Sequence, residues 1–151
     1  MALTAAKFFS LLFAALALAP ALAHLLELPN KIGLSRDDYL TVQQIYRGWA
    51  LLGFVVAGAL LSTLVLTIML RNRPKVFALT LVAFVCILGT QVVFWTFTFP
   101  ANQQTSNWTV LPENWMALRT QWEYSHAASA VLNLVALMAL IASVLSREEA
   151  R

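Results

Sequence analysis

Residues 49–99 read WALLGFVVAGALLSTLVLTIML, then RNRPK, then VFALTLVAFVCILGTQVVFWTFTF. Two long apolar runs parted by five residues with three cations form the pattern of a transmembrane helical hairpin. A helix crosses the hydrocarbon core of a bilayer with about 20 mainly apolar residues. Outward from this hairpin, two further segments meet the same test, at about 8–28 and about 125–146. The expected fold is therefore an all-α membrane protein. It is a four-transmembrane-helix bundle forming a single integral membrane domain over residues 1–151, with spans at about 8–28, 49–70, 76–99 and 125–146.

Composition agrees. Of the 151 residues, 60% are hydrophobic and 11% charged, against about 45–50% and about 25% in soluble domains. That excludes an ordinary soluble enzyme and a disordered chain. A net charge of +3, scattered along the sequence, excludes nucleic acid as a partner. The single cysteine, Cys86, excludes an internal disulfide.

Four spans put both chain ends on one side. The connection Arg71-Asn72-Arg73-Pro74-Lys75 is the strongest cytoplasmic signal. With it inside, Lys7, Arg147 and Arg151 also lie inside, and Lys31, Arg36, Arg47 and Arg119 outside. The expectation is a multi-pass protein of a bacterial inner membrane with cytoplasmic termini. The first segment also resembles a secretory leader, with Lys7, an apolar run and Ala21-Leu22-Ala23 as a cleavage site. Its apolar run continues through Leu25-Leu26, so retention as a span is expected.

Local signals add detail. Pro29 predicts that the first helix stops near Leu28. Ser35 followed by Asp38 predicts a helix start, and the spacing of Tyr39, Leu40, Val42, Ile45 and Tyr46 predicts a helix running straight into span two. Pro112 suits a first turn of the fourth helix. Residues 100–111 read as a polar loop. The five tryptophans and three tyrosines all fall at or beyond the outer ends of the spans. They form either an interfacial belt or an aromatic cap over one end of the bundle.

The histidines are the sharpest chemical signal. His24 and Glu27 form His-x-x-Glu near the end of span one, and Glu123 and His126 form Glu-x-x-His near the start of span four. Side chains three apart share a helix face. The two helices are antiparallel, so the reversed order puts both imidazoles at one depth and both carboxylates at another. If the helices adjoin, these four side chains make a candidate metal site. Copper or iron suits it best, with zinc as a further candidate. Spans two and three add no carboxylate at that depth, so the set is short of a di-iron centre and a single metal fits better. Gln91 and Asn133 lie where they can orient a ligand histidine or join helices. Arg47 and Arg119 can orient the carboxylates or stabilise an anionic phenolate. Tyr46, Trp95 and Trp122 can line an aromatic pocket. The plainer alternative is that Arg119–Glu123 and Arg47–Glu27 ion pairs, with two hydrogen-bonded histidines, only fasten the bundle.

The segments His24-Leu25-Leu26-Glu27-Leu28-Pro29-Asn30-Lys31, Tyr46-Arg47-Gly48-Trp49, Trp95-Thr96-Phe97-Thr98-Phe99-Pro100-Ala101-Asn102 and Leu118-Arg119-Thr120-Gln121-Trp122-Glu123-Tyr124-Ser125-His126 resemble a family of small four-span membrane proteins that includes the anthrone oxygenases. The resemblance spans most of the chain. It implies a four-helix membrane bundle and oxygen-dependent oxidation of a hydrophobic aromatic substrate. Three functional expectations follow. The first is an oxidoreductase of oxygenase type acting on a hydrophobic small molecule with O2 at the His/Glu site, with a cofactor-free variant in which a His or Glu takes a substrate proton. The second is a haem b protein with His24 and His126 as axial ligands. The third is a non-catalytic subunit of a larger membrane complex, or a homo-oligomer.

Overall fold

The computed structural model describes residues 1–146, so Arg147 and Arg151, counted above as cytoplasmic cations, lie outside the described residues. Six α-helices follow in order: α1 (Ala2–Lys31), α2 (Arg36–Gln43), α3 (Leu52–Met69), α4 (Pro74–Val93), α5 (Phe99–Gln104) and α6 (Trp115–Leu145). Four helical segments are long and apolar enough to cross a membrane: Ala2–Lys31, Trp49–Met69, Pro74–Gln104 and Trp115–Leu145. They pack as a ring in which α1 touches α3, α3 touches α4, α4 touches α6 and α6 returns to α1. The adjacency of α1 and α6, which the candidate site requires, is thus present.

The bundle is built for a lipid solvent. Large apolar side chains such as Phe8, Phe54, Leu61, Val85 and Met138 face outward. The buried faces are dominated by Ala14, Ala59, Ala83, Ala130 and Ala136, with Ser10, Thr63, Thr80 and Ser143 among them. Lipid offers no hydrophobic drive to bring helices together, so close contact between small residues does that work. Gly58 shows how close: a methyl group there would lie 2.7 Å from the Phe13 ring of α1. Some buried hydroxyls return a hydrogen bond to their own helix, as Thr67 does to the Thr63 carbonyl at 2.8 Å, while those of Ser10 and Thr63 have no partner.

Four local expectations are corrected. Pro29 lies inside α1, which continues to Lys31, and the Ile32 amide still closes on the Leu28 carbonyl at 3.0 Å. Proline costs one amide hydrogen bond, and this near the helix end the last turn forms without it. The run from α2 toward α3 is interrupted. A 3-10 turn at Gln44–Tyr46 ends at Arg47, and Gly48 takes φ +89°, before a second 3-10 turn, Trp49–Leu51, leads into α3. The third span does not stop at Phe99. It passes through a π-helical turn, Phe94–Thr98, into α5. The wider π turn accommodates Pro100, whose ring would crowd the preceding turn of a regular α-helix. Finally, α6 starts at Trp115 rather than Pro112, whose carbonyl accepts from the Trp115 amide at 3.0 Å. The predicted start at Ser35 holds: its hydroxyl accepts the Asp38 amide and caps α2.

α2 and the 105–114 connection fold over one end of the bundle. Gln44 donates to the Trp108 carbonyl at 2.9 Å, Arg119 to the Leu34 carbonyl at 2.8 Å, and Arg36 to the Leu111 carbonyl. Beneath them Tyr39, Ala101, Trp108, Leu111, Leu118 and Trp122 form a second core, distinct from the alanine-rich one between the spans. An aromatic cap therefore exists at this end.

Candidate functional site

The site lies on the α1–α6 seam beneath that cap. α1 presents His24, Glu27 and Lys31, spaced i, i+3 and i+7 on one face. α6 presents Trp122, Glu123 and His126. Small neighbours, Ala17 and Ala21 on α1 and Ala130 on α6, are buried and let the two backbones approach.

The imidazoles of His24 and His126 stack with ring centres 4.1 Å apart and planes 26° from parallel. Trp122 stands edge-on to both, at 4.2 Å from His126 and 5.0 Å from His24. Tyr46 and Trp49, from the connection into α3, approach His24 at 4.5 and 5.5 Å. His24 is 4% exposed, and its Nδ1 is buried with no hydrogen-bond partner. A buried polar atom without a partner costs about 1–3 kcal/mol, and His24 Nδ1 shares that condition with side-chain atoms of Ser10, Gln43, Thr63, Arg119 and Glu123.

The carboxylates form a separate layer around a residue the sequence reading had treated only as a loop charge. Lys31 is 4% exposed. Its ammonium lies 3.0 Å from Glu123 Oε1 and 3.7 Å from Glu27 Oε2, and it donates to the Tyr46 hydroxyl at 2.8 Å. It also sits over the rings of Tyr46 and Trp122, at 4.5 and 4.9 Å. The Tyr46 hydroxyl donates to Glu27. Glu123 is fully buried. It accepts from the Tyr39 hydroxyl at 2.9 Å, Gln43 donates to that same hydroxyl, and its second oxygen, Oε2, has no partner. Burial above all, and then the Glu27 hydrogen bond and charge, push the Tyr46 phenol well above its ordinary pKa. Burial first and Glu123 second do the same to Tyr39. Both phenols therefore act as neutral donors.

The predicted residues thus divide. His24 and His126 come together at one depth, and Glu27 and Glu123 come together at another through Lys31. Trp122 and Tyr46 flank the imidazoles. Trp95 does not: it is 60% exposed and packs against Phe94 and Phe99. Neither arginine pairs with a carboxylate among the described residues. Arg47 is exposed and bonds Gln44 at 2.8 Å, while Arg119 bonds the Leu34 carbonyl and covers the Trp115 ring at 4.6 Å. Lys31 is nearer both carboxylates and holds them instead. Asn133 is buried below His126 on α6, and Gln91 is half-buried against Thr90. Lys31, Tyr39, Gln43 and Trp49 are the members that the sequence reading missed. A groove of about 520 Å³ lined by Val93, Phe97, Tyr124 and Ser125 lies on the α4–α6 side, apart from the histidines.

Among the described residues no three His, Cys, Asp or Glu side chains converge as a ready ligand set. The two imidazoles supply two donor nitrogens side by side, but their rings lie nearly parallel with centres 4.1 Å apart, so faces rather than nitrogen lone pairs are apposed and one ring would have to turn for both to bind a single ion. Comparison with protein-family models, with curated proteins and with solved structures finds no match to this chain.

Proposed function

We propose that the protein is a membrane-embedded oxidoreductase of oxygenase type, in which His24 and His126 hold a copper or iron ion and a hydrophobic aromatic molecule is the substrate. The observation that carries this reading is the stacked histidine pair with the unpartnered Nδ1 of His24. Imidazole is a donor suited to both metals, and ionisable groups kept at membrane depth are functional by default. A redox metal held there would supply reaction with O2. The substrate class rests on the resemblance to the anthrone-oxygenase family and on the aromatic walls, Tyr46, Trp49 and Trp122, which offer ring faces to a flat molecule arriving from lipid.

The chain's own residues have defined parts. Trp122 and Tyr46 hold the imidazoles in place. Lys31, flanked by two carboxylates, supplies a fixed positive group next to the aromatic walls, suited to a phenolate oxygen. α2 and Trp108 close the end of the bundle against water. In this reading the 71–75 connection and both termini face the cytoplasm and the site faces the periplasmic side of a bacterial inner membrane.

The test is oxygen uptake by purified protein in detergent with a phenolic polycyclic substrate of the anthrone type. Wild type consumes O2 in step with substrate loss, and His24→Ala and His126→Ala each abolish it. Equal uptake by wild type and both variants contradicts the proposal.

A further inference from the structure

Two phenols cover the α1–α6 seam, and both come from one segment, residues 34–47. Tyr39 donates to Glu123 at 2.9 Å. The Tyr46 ring lies 4.5 Å from that of His24, and its hydroxyl is held between two charged groups: it accepts from Lys31 at 2.8 Å and donates to Glu27. An ammonium donor and a carboxylate acceptor meeting at one phenol oxygen, with flat rings on either side, make a complete receptor for a phenol. We infer that Tyr46 occupies the place of a phenolic substrate's hydroxyl between Lys31 and Glu27, and that residues 34–47 are a hinged lid that vacates it. The inference rests on the reading of this seam as the reactive site.

The segment is built to move. A glycine stands at each end, Gly33 and Gly48, and a methyl group at either meets nothing within 4 Å, so packing requires neither. Unhindered residues at the ends of an element absorb the dihedral change of a hinge. Within α2 only Tyr39 and Gln43 are buried. Its backbone packs mainly against the 3-10 turn that follows it, and it reaches the spans through side chains. Elements with few buried apolar contacts open at low cost. Much of what holds the lid shut is polar: Gln44 on the Trp108 carbonyl, Arg36 on the Leu111 carbonyl, and Arg119 of α6 on the Leu34 carbonyl. Water can replace each of these bonds. With the lid shut, His24, Lys31 and Glu123 are all buried. Turned outward, it uncovers them in one motion, while Trp49 and Trp122 lie outside the segment and stay as walls for a flat ring. An incoming phenol then restores both hydrogen bonds that Tyr46 gave up.

The experiment is binding of naphthol to the full chain in detergent, with naphthalene as the control that lacks a hydroxyl. Thr41 on the lid and Thr109 on the 105–114 connection are exposed and line one groove. Thr41→Cys with Thr109→Cys, in a Cys86→Ser chain, can therefore be joined by a short bis-maleimide to lock the lid. The locked chain is expected to bind naphthol at least about tenfold more weakly than the same chain unlinked. Tyr46→Ala, which empties the place, is expected to bind it at least about tenfold more tightly than wild type, with no such gain for naphthalene. If Tyr46→Ala does not fold, amide hydrogen exchange in wild type decides: naphthol should speed exchange across α2 and naphthalene should not. Equal binding by locked and unlinked chains, or exchange unchanged by naphthol, overturns the lid. No gain for naphthol in Tyr46→Ala, or an equal gain for naphthalene, overturns the phenol place. These readouts need no metal, O2 or turnover, so their failure is distinct from an absence of oxygenase activity in wild type.

Discussion

Lys31 on α1 and Glu123 on α6 form an ion pair at 3.0 Å in which the ammonium-bearing side chain is 5% exposed and the carboxylate is wholly buried. This pair stitches the two helices that carry the histidines. Removing one partner of a buried pair strands the other charge, at a cost of about 3–5 kcal/mol. Lys31→Ala and Glu123→Ala should each lower the thermal midpoint in detergent strongly, and the double variant should lose much less than the sum. Additive losses in such a cycle would mean that the two side chains do not act as a pair.

Two indoles of the cap share one acceptor. Asn102 Oδ1 accepts from the indole nitrogens of both Trp108, at 3.2 Å, and Trp122, at 2.8 Å. Trp108 is delivered by three successive residues with positive φ, Ser106, Asn107 and Trp108, a conformation that costs energy outside glycine and persists because the Asn102 carbonyl and Thr105 bond the turn. Asn102→Ala should destabilise the protein by about 2–4 kcal/mol, since two indoles lose their partner, and shift tryptophan emission to the red. An unchanged emission maximum would show that the cap does not need this residue.

Gly48 separates the cap from α3. Its φ of +89° is a region in which a side chain is strained, at a cost of about 1–2 kcal/mol. Space is not the obstacle, because a methyl group there meets nothing within 4 Å. Gly48→Ala should therefore lower stability by about that amount, while Gly53→Ala, open in space and without positive φ, should not. Equal effects at both positions would remove the conformational explanation.

The phenols set a pH window. Burial, reinforced by Glu27 for Tyr46 and by Glu123 for Tyr39, raises both above the ordinary value of 10.0. A group whose folded pKa is raised contributes stability that is fully present below its unfolded value and is lost as pH rises beyond it. Their contribution should hold through neutral pH and decline above about pH 10. The variant with Tyr39→Phe and Tyr46→Phe should lose stability less steeply above that point than wild type. Parallel slopes would contradict the assignment.

Much of this arrangement was legible in the sequence because it follows from periodicity. Apolar length gave the four spans, and the reversed order of His-x-x-Glu and Glu-x-x-His on antiparallel helices gave the common depth of the imidazoles. Lys31 was legible by the same rule, seven residues after His24, but reading Pro29 as a helix end turns it into a loop charge. The missing proline hydrogen bond is one local cost, and docking of α1 against α6 outweighs it. The interruption at Arg47-Gly48 and the π turn before Pro100 have no periodic signature, since both are set by how the cap closes. Adjacency of α1 and α6 is likewise a property of the assembled ring.

The central claim, that the stacked histidines are joint metal donors, is tested most directly by metal content and X-ray absorption of wild-type protein purified gently from membranes and reconstituted with copper or iron. The expected result is close to one ion per chain with scattering from two imidazoles, reduced to background in His24→Ala and in His126→Ala. Metal that stays below about one-tenth per chain in wild type, or that remains when either histidine is removed, would contradict it.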